Sequence, residues 1–254
     1  MKTSFIAFAA FVLSLSVQAQ TLHALLFVNE KEVGRETDRK ADMDNMKAFF
    51  RDIAAQLGYN YNLRDNSDTQ FTAAEVDQEI ASLSVQKNDV VVFYYSGHGY
   101  NQGTDQWPTL NFKDKNYWLS DILKQLNGRT RSAKLVLCVA DCCNKGMNNA
   151  ALPAESFNPI SSANMKALFT GFQGRKTVLM SASKQGQYSY SDLQRGALFG
   201  ICLRNAVYRL TDNSNAAPTW EAVGQRAKEG TLRSSENKQE PQMKIIQAAS
   251  AIDE

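Results

Sequence analysis

Residues 89–100 read D-V-V-V-F-Y-Y-S-G-H-G-Y, an apolar run that ends in a histidine between two glycines. Val90 to Tyr95 are all β-branched or aromatic, and such a run between polar residues predicts a strand buried on both faces. The flanking glycines allow sharp turns and a close backbone approach. Open α/β sheets hold their sites at the carboxyl ends of strands. His98 is therefore a candidate for proton transfer; the alternative is a structural histidine bonded to a backbone carbonyl.

Strand and helix patterns alternate along the rest of the chain. Apolar runs predict strands at 22–28, 59–63, 90–95, 133–139, 177–182 and 243–246. Apolar spacing of three and four residues, with capping residues, predicts helices at 41–57, 72–83, 118–126, 161–169, 197–210 and 219–229. The polar segments 30–39, 101–115, 147–159 and 185–195 are expected to be loops, with a small hairpin as an option for 101–115. The alternation predicts an α/β fold, with an open, mostly parallel sheet of about six strands and helices on both faces.

A second motif follows the strand predicted at 133–139, where the sequence continues as Ala140-Asp141-Cys142-Cys143. Both motifs lie at strand ends, so a histidine and a cysteine should share one rim of the sheet. The interval, 143 − 98 = 45 residues, holds one helix and one strand, which suits neighbouring strands. A thiolate is a strong nucleophile, and an imidazole can take its proton and later protonate a leaving amine. The backbone amides of Gly99 and Cys143 are candidates for the oxyanion hole.

Composition bounds the class of protein. The chain has 254 residues, 43% apolar and 21% charged, and a net charge of +2, which gives no basic field for nucleic acid. Lys2, the apolar stretch Phe5–Leu15 and the cleavage motif Val17-Gln18-Ala19 predict a signal peptide, 1–19, and export to the periplasm or beyond the cell. The mature domain would then be 20–254, with no membrane span after removal of the signal.

The four cysteines, at 138, 142, 143 and 202, could in an exported protein form two disulfides. We expect thiols instead, because a chain of this size can bury a core without crosslinks. A metal site is a second alternative, but the sulfurs lack the spaced C-x-x-C pair that zinc sites use. The sequence predicts no metal site.

Together the two motifs resemble the caspase and metacaspase superfamily of cysteine peptidases. The resemblance covers Leu22 to about Leu210. In metacaspases the second strand ends D-S-C-H-S-G, and the match to Asp141 through Gly146 aligns the nucleophile with Cys143 and leaves Cys142 in a small-residue position. The resemblance implies a dyad of His98 and Cys143, peptide or protein substrates, and no organic cofactor. Calcium-dependent members carry clustered aspartates between the two motifs, and this chain does not, so a calcium site is not supported.

The same resemblance implies a specificity pocket. Residues 41–46 resemble the metacaspase segment D-A-x-x-M, which aligns Asp42 with an aspartate that lines the primary pocket together with Asp141. Two carboxylates would select arginine or lysine. Residues 181–183 and 188–191 resemble the caspase segment with Y-S-W-R, and so Ser181, Tyr188 and Tyr190 are expected to bind substrate.

Family members are often cut between the cysteine strand and the next strand. If the pocket takes basic residues, the candidates here are Lys145, Lys166, Arg175 and Lys176, and Lys166 is favoured because it lies in a weak, short helix. Two rival interpretations stand beside this one. The first is a clostripain- or legumain-like peptidase with another specificity, and the second is an inactive scaffold that keeps the fold.

Overall fold

The protein forms a single central sheet with helices on both faces. A computed structural model describes residues 19–31, 36–101, 103–143, 147–149, 157–214 and 217–248. The strands are β1 (Thr21–Val28), β2 (Asn60–Ser67), β3 (Val90–Gly97), β4 (Gly99–Tyr100), β5 (Thr109–Asn111), β6 (Asn116–Trp118), β7 (Leu135–Cys142), β8 (Met147–Asn149), β9 (Arg175–Ser181), β10 (Ser189–Asp192), β11 (Gly196–Ala197) and β12 (Gln242–Ala248). The helices are α1 (Glu36–Leu57), α2 (Ala73–Ser82), α3 (Leu119–Arg129), α4 (Ser162–Phe169), α5 (Leu198–Leu210) and α6 (Trp220–Ser234).

The central sheet has six strands in the order β12-β9-β7-β3-β1-β2. Five of them run parallel, and β12 pairs antiparallel with β9 at one edge. The predicted fold class is thereby confirmed. The two strands with the sequence motifs, β3 and β7, are neighbours at the centre, and both are buried along their whole length. Strands covered on both faces need continuous apolar runs, which is why these two were visible in the sequence.

Two apolar layers enclose the sheet. One contains α1, α4, α5 and α6 packed on one face of β1, β3, β7 and β9, and Trp220 and Phe50 are among its buried aromatic side chains. The other contains α2, α3 and the loop side chains Phe71 and Phe112 on the opposite face. Successive residues of β3 and β7 therefore alternate between the two layers, and the layer that a site residue faces is fixed by its parity.

Several predicted boundaries were wrong. Helix α1 begins at Glu36 and not at residue 41, because the acidic residues of its first turn, Glu36 and Asp38, favour the positive end of the helix dipole. Helices α3 and α6 continue past Gly128 and Gly230, since one glycine inside a helix costs only about 1 kcal/mol. Strand β2 extends to Ser67. Thr72 is the N-cap of α2, as predicted, and its hydroxyl accepts from the backbone amide of Glu75 at 3.1 Å, but the reciprocal bond of a capping box is not formed, because the Thr72 amide donates to the Gln70 carbonyl.

Two segments predicted as loops contain strands that bear on the site. β8 and β10 pair in parallel, and β11 adds antiparallel to β10 to make a small second sheet. Strands β4, β5 and β6 form a third sheet after the histidine motif, close to the small hairpin that was an option there. Within the described residues, no helix has both the length and the apolar content needed to cross a membrane.

Candidate active site

The histidine motif and the cysteine motif end side by side. In the register of β3 and β7, Gly97 pairs with Cys142, so His98 and Cys143 are the next residues on neighbouring parallel strands. This confirms the expectation that both motifs open on one rim. His98 is exposed, and its carbonyl oxygen accepts from the Tyr95 hydroxyl at 2.6 Å and from the backbone of Asn111 at 3.0 Å.

The glycine after the histidine packs directly on the cysteine strand. A methyl group added at Gly99 would lie 2.7 Å from the Cys143 carbonyl oxygen and 3.0 Å from Cys142 Cβ, and it would collide with Cys142 Sγ. Neither Gly97 nor Gly99 has a positive φ. Glycine is therefore needed at position 99 for the close approach of two backbones, and not for an unusual backbone conformation.

The two cysteines of the motif have different surroundings. Cys142 belongs to the apolar layer of α2 and α3, and burial raises the pKa of its thiol well above the usual value. The Cys143 thiol accepts from the Ser189 amide at 3.3 Å and lies 3.7 Å from the Ser189 carbonyl oxygen, to which it donates. Cys143 is only 1% exposed. All four cysteines of the chain are described, and each carries a thiol rather than a disulfide.

His98 lines a small cavity of ≈ 140 Å³ together with Asn29, Phe71, Asn111, Phe112 and Lys113. Cys143 is not part of that lining. The structure thus brings the backbones of the two motifs into contact, while the thiol itself lies under Ser189 and does not open into the cavity beside the imidazole.

The two aspartates assigned to the specificity pocket are buried near each other. The Tyr94 hydroxyl donates to Asp42 Oδ2 at 2.8 Å, and the Gly200 amide donates to Asp141 Oδ2 at 2.5 Å. A methyl group added at Gly200 would lie 3.0 Å from the Tyr94 hydroxyl and 3.1 Å from Asp141 Oδ2, so the phenol lies beside both carboxyl groups. Both aspartates are 1% exposed. No described residue supplies a hydrogen bond to Asp141 Oδ1.

Burial controls the ionisation of this pair. It raises the pKa of Asp42, against hydrogen bonds from Ser96 and Tyr94 that lower it. Burial also raises the pKa of Asp141 well above its ordinary value, and the charge of Asp42 raises it further. Two carboxyl groups that are close together and away from water favour their protonated forms, because burial and like charge both oppose ionisation.

Several charged side chains around Asp42 and Asp141 were not predicted from the sequence. Arg39 is 1% exposed, and its Nη1 donates to Ser96 Oγ at 2.9 Å. The guanidinium groups of Arg39 and Arg204 favour the ionised form of Asp42. Arg39 lies three residues before Asp42 and hence on the same face of α1, a spacing that would have revealed it if the helix had been started at Glu36.

The remaining predicted residues have mixed positions. Ser181 is buried, and its hydroxyl donates to the Ser183 carbonyl at 3.2 Å. Tyr188 is exposed, and the amide of half-buried Tyr190 donates to Gln239 Oε1 at 2.8 Å. Lys166 is exposed on α4. Lys145, Gly146 and the signal segment 1–18 lie outside the described residues.

Comparison with known proteins places these features in context. A family model described as the caspase domain matches residues 22–249. Among solved structures, the crystal structure of protein GSU0716 from Geobacter sulfurreducens is similar, with a TM-score of 0.51 and 15% sequence identity over 91% of this chain and 94% of that chain. At that identity the likeness concerns the fold alone. The comparison with curated proteins gave no match.

Proposed function

The chain belongs to the caspase-domain family of cysteine peptidases, and we propose that it is an endopeptidase that cleaves after arginine or lysine and, from its N-terminal segment, that it is exported. The observation that carries the proposal is the contact between Gly99 and the Cys142–Cys143 backbone at the ends of neighbouring strands. His98 and Cys143 are each one residue beyond a paired position, so they occupy neighbouring positions at the ends of adjacent strands, as a dyad requires.

In the proposed reaction, Cys143 loses its proton to His98 and its sulfur attacks the carbonyl carbon of the scissile bond. The amides of Gly99 and Cys143 would stabilise the oxyanion. His98 then gives its proton to the leaving amine, and the peptide remains as a thioester. Water adds its hydroxyl to the acyl carbon and returns a proton to the sulfur, which releases the acid. No organic cofactor takes part.

The proposed preference for basic residues rests on Asp42 and Asp141. A guanidinium between them would supply hydrogen bonds to Asp141 Oδ1 and offset the repulsion between two buried carboxyl groups. An acidic side chain would add a third like charge to the pocket and be rejected.

Fluorogenic peptides that differ only in the residue before the cleaved bond test this proposal. Arginine and lysine peptides should be hydrolysed and the aspartate peptide should not, and Cys143→Ala should abolish all hydrolysis. Asp42→Asn, which keeps the shape of the side chain, should reduce hydrolysis of the arginine peptide by about tenfold or more, as expected for the loss of one charge-assisted contact.

Other outcomes would support the rival interpretations. Cleavage after aspartate or asparagine would refute the basic specificity and favour a peptidase of another kind. A protein that cleaves no peptide and is not labelled at Cys143 by an acyloxymethyl ketone probe, even after denaturant has loosened the fold, would favour the inactive scaffold.

Two further proposals follow from the sequence. Export rests on the charged and apolar segments before Ala19, and N-terminal sequencing of the protein from its natural source would show cleavage at 19–20 if it holds. Self-processing at Lys166 rests on the basic specificity and on the exposure of Lys166 in α4.

A further inference from the structure

We propose that the hairpin Ser189–Ala197, which comprises β10, β11 and their turn, is a latched cover over the catalytic thiol and the acid pair. The hydrogen bond between Ser191 and Asp38 is the latch. The inference rests on the proposed function in naming Cys143 as the nucleophile and Asp42 and Asp141 as the specificity pocket. We call this segment the cover hairpin.

The first support is the burial of the thiol. The cover hairpin meets it through the backbone of Ser189, whose amide donates to the sulfur and whose carbonyl oxygen accepts from it. Cys143 and Ser189 are each 1% exposed. A carbonyl carbon must come within bonding distance of the sulfur, so no substrate can react until β10 moves away.

The second support is the occupation of both edges of β10. One edge pairs antiparallel with β11 at Ser191 and Asp192, and the other pairs in parallel with β8 from Ser189 to Ser191. β8 begins at Met147, only 147 − 143 = 4 residues after the nucleophile. An extended peptide binds a strand by adding to an open edge, and here the chain itself already holds both edges.

The third support is the attachment of the cover hairpin to α1. The Ser191 hydroxyl donates to Asp38 Oδ2 at 2.8 Å, and both residues are essentially buried. Asn45 Nδ2 donates to the Arg195 carbonyl at 3.0 Å, and the Ala197 amide lies 3.4 Å from Asp42 Oδ1. The same hairpin that buries the thiol therefore also closes the acid pair.

Gly196 fixes how tightly the hairpin closes. It has a φ of +97°, and a methyl group there would lie 2.8 Å from the Asp42 Cα and 2.9 Å from Asp42 Oδ1. Only glycine adopts this conformation readily. The hairpin thus ends on Asp42 itself, and lifting it would open the thiol and the specificity pocket in one movement.

The test is the rate at which iodoacetamide alkylates each cysteine of the native protein, followed by tandem mass spectrometry. Ser191→Ala should raise the labelling rate of Cys143 by about tenfold or more, as expected for a lost hydrogen bond to a carboxylate. Cys138, in the centre of β7 and 0% exposed, reports opening of the whole sheet and should not change. Thr231→Val removes a buried hydroxyl in α6 that donates to the Ala227 carbonyl, and it should change neither rate.

A second pair of variants addresses the other half of the latch. Asp38→Ala should accelerate Cys143 labelling as Ser191→Ala does, whereas Asp38→Asn keeps an acceptor oxygen and should stay near the wild-type rate. The proposal is overturned if wild-type Cys143 reacts as fast as glutathione in the same buffer, or if neither Ser191→Ala nor Asp38→Ala changes its rate. A parallel rise at Cys138 would also overturn it, because the opening would then be global.

Labelling needs no turnover, so this test is separate from the peptide assay. A protein that opens as described and yet cleaves no basic peptide would refute the proposed specificity and leave the cover hairpin standing. A protein that cleaves basic peptides at the same rate with and without the latch, and shows no change in labelling, would support the proposed specificity and refute the cover hairpin.

Discussion

Adjacent residues of a strand face opposite sides, and this separates the two cysteines at the end of the central strand. Cys142 lies in the apolar layer of α2 and α3, where its sulfur packs on Gly99. Cys143 lies on the other side, against Ser189. Which cysteine can act as the nucleophile therefore depends on the face of the sheet that it occupies, and a shift of one residue in the alignment would exchange the roles of Cys142 and Cys143.

Substitution of each cysteine in turn tests the assignment. Cys143→Ala and His98→Ala should each reduce hydrolysis of an arginine peptide by about 10³-fold or more, as removal of a nucleophile or its base does elsewhere. Cys142→Ala should keep most of the activity and lose about 1 kcal/mol of stability. Kinetics with the three purified variants decide it, and an inactive Cys142→Ala beside an active Cys143→Ala would place the nucleophile at Cys142.

The sequence was most informative for residues identified by a local pattern. Asp42 and Asp141 are expected in one pocket, and they do lie close to each other beside the Tyr94 hydroxyl. Tyr94 is predicted only as an apolar residue of β3, because nothing in the local pattern shows that its hydroxyl lies beside two carboxyl groups. Long-range contacts of this kind follow from the register of whole strands.

At the scale of elements, the central strands have a local sequence pattern that predicts them, whereas the cover hairpin depends on pairing with distant residues. β3 and β7 consist of apolar residues because helices cover both faces, and their existence and order were predicted. β10 reads S-Y-S-D and is a strand only because β8 and β11 pair with it. A short polar segment has no propensity that distinguishes it from a loop, so its strand conformation could not be read locally.

Helix α4 bears on the proposed self-processing. It has eight residues and is held by buried Met165, Leu168 and Phe169, while Lys166 points to solvent. A helix of this length is not stable alone, so local unfolding can expose the peptide bond after Lys166. We expect the wild-type protein to cleave itself at that bond and to yield two fragments.

The fragments are measured by intact-mass spectrometry after incubation. Cys143→Ala should remain one chain, and so should Lys166→Gln with its dyad intact. A wild-type chain that stays whole and fully active would show that cutting at Lys166 plays no part.

At the scale of the whole molecule, a second polar network lies at the opposite end of the sheet from Cys143. His23 Nε2 is 3.3 Å from Asp89 Oδ2, and its Nδ1 accepts from Asn62 Nδ2 at 3.2 Å. Burial lowers the pKa of His23 below 6.5, despite the opposing effect of Asp89. The folded state therefore holds this imidazole neutral, and protonation would remove the acceptor that Asn62 uses.

The sign of the pH effect follows from that direction. Below pH 6.5 the unfolded chain binds a proton at His23 more readily than the folded chain does. The contribution of His23 to the free energy of unfolding is therefore complete above pH 6.5 and is lost as the pH falls. The loss is at most about 1.4 kcal/mol per pH unit for one group. Urea unfolding at several pH values should show that the free energy of unfolding declines less with falling pH for His23→Gln than for wild type. Equal dependence on pH in the two proteins would contradict the assignment.

The raised pKa of the buried Asp141 carboxyl group has a thermodynamic consequence. In the resting fold this carboxyl retains its proton to a higher pH than an ordinary aspartate, whereas a bound guanidinium would favour the ionised form. If a basic side chain binds in the proposed pocket, its association should therefore release a proton to the solvent. Titration calorimetry of Cys143→Ala with an arginine peptide, in buffers of different ionisation enthalpy, should report that release, and the affinity should rise with pH over the range in which Asp141 titrates. Occupancy of the proposed pocket would thus be coupled to the acidity of the protein's surroundings.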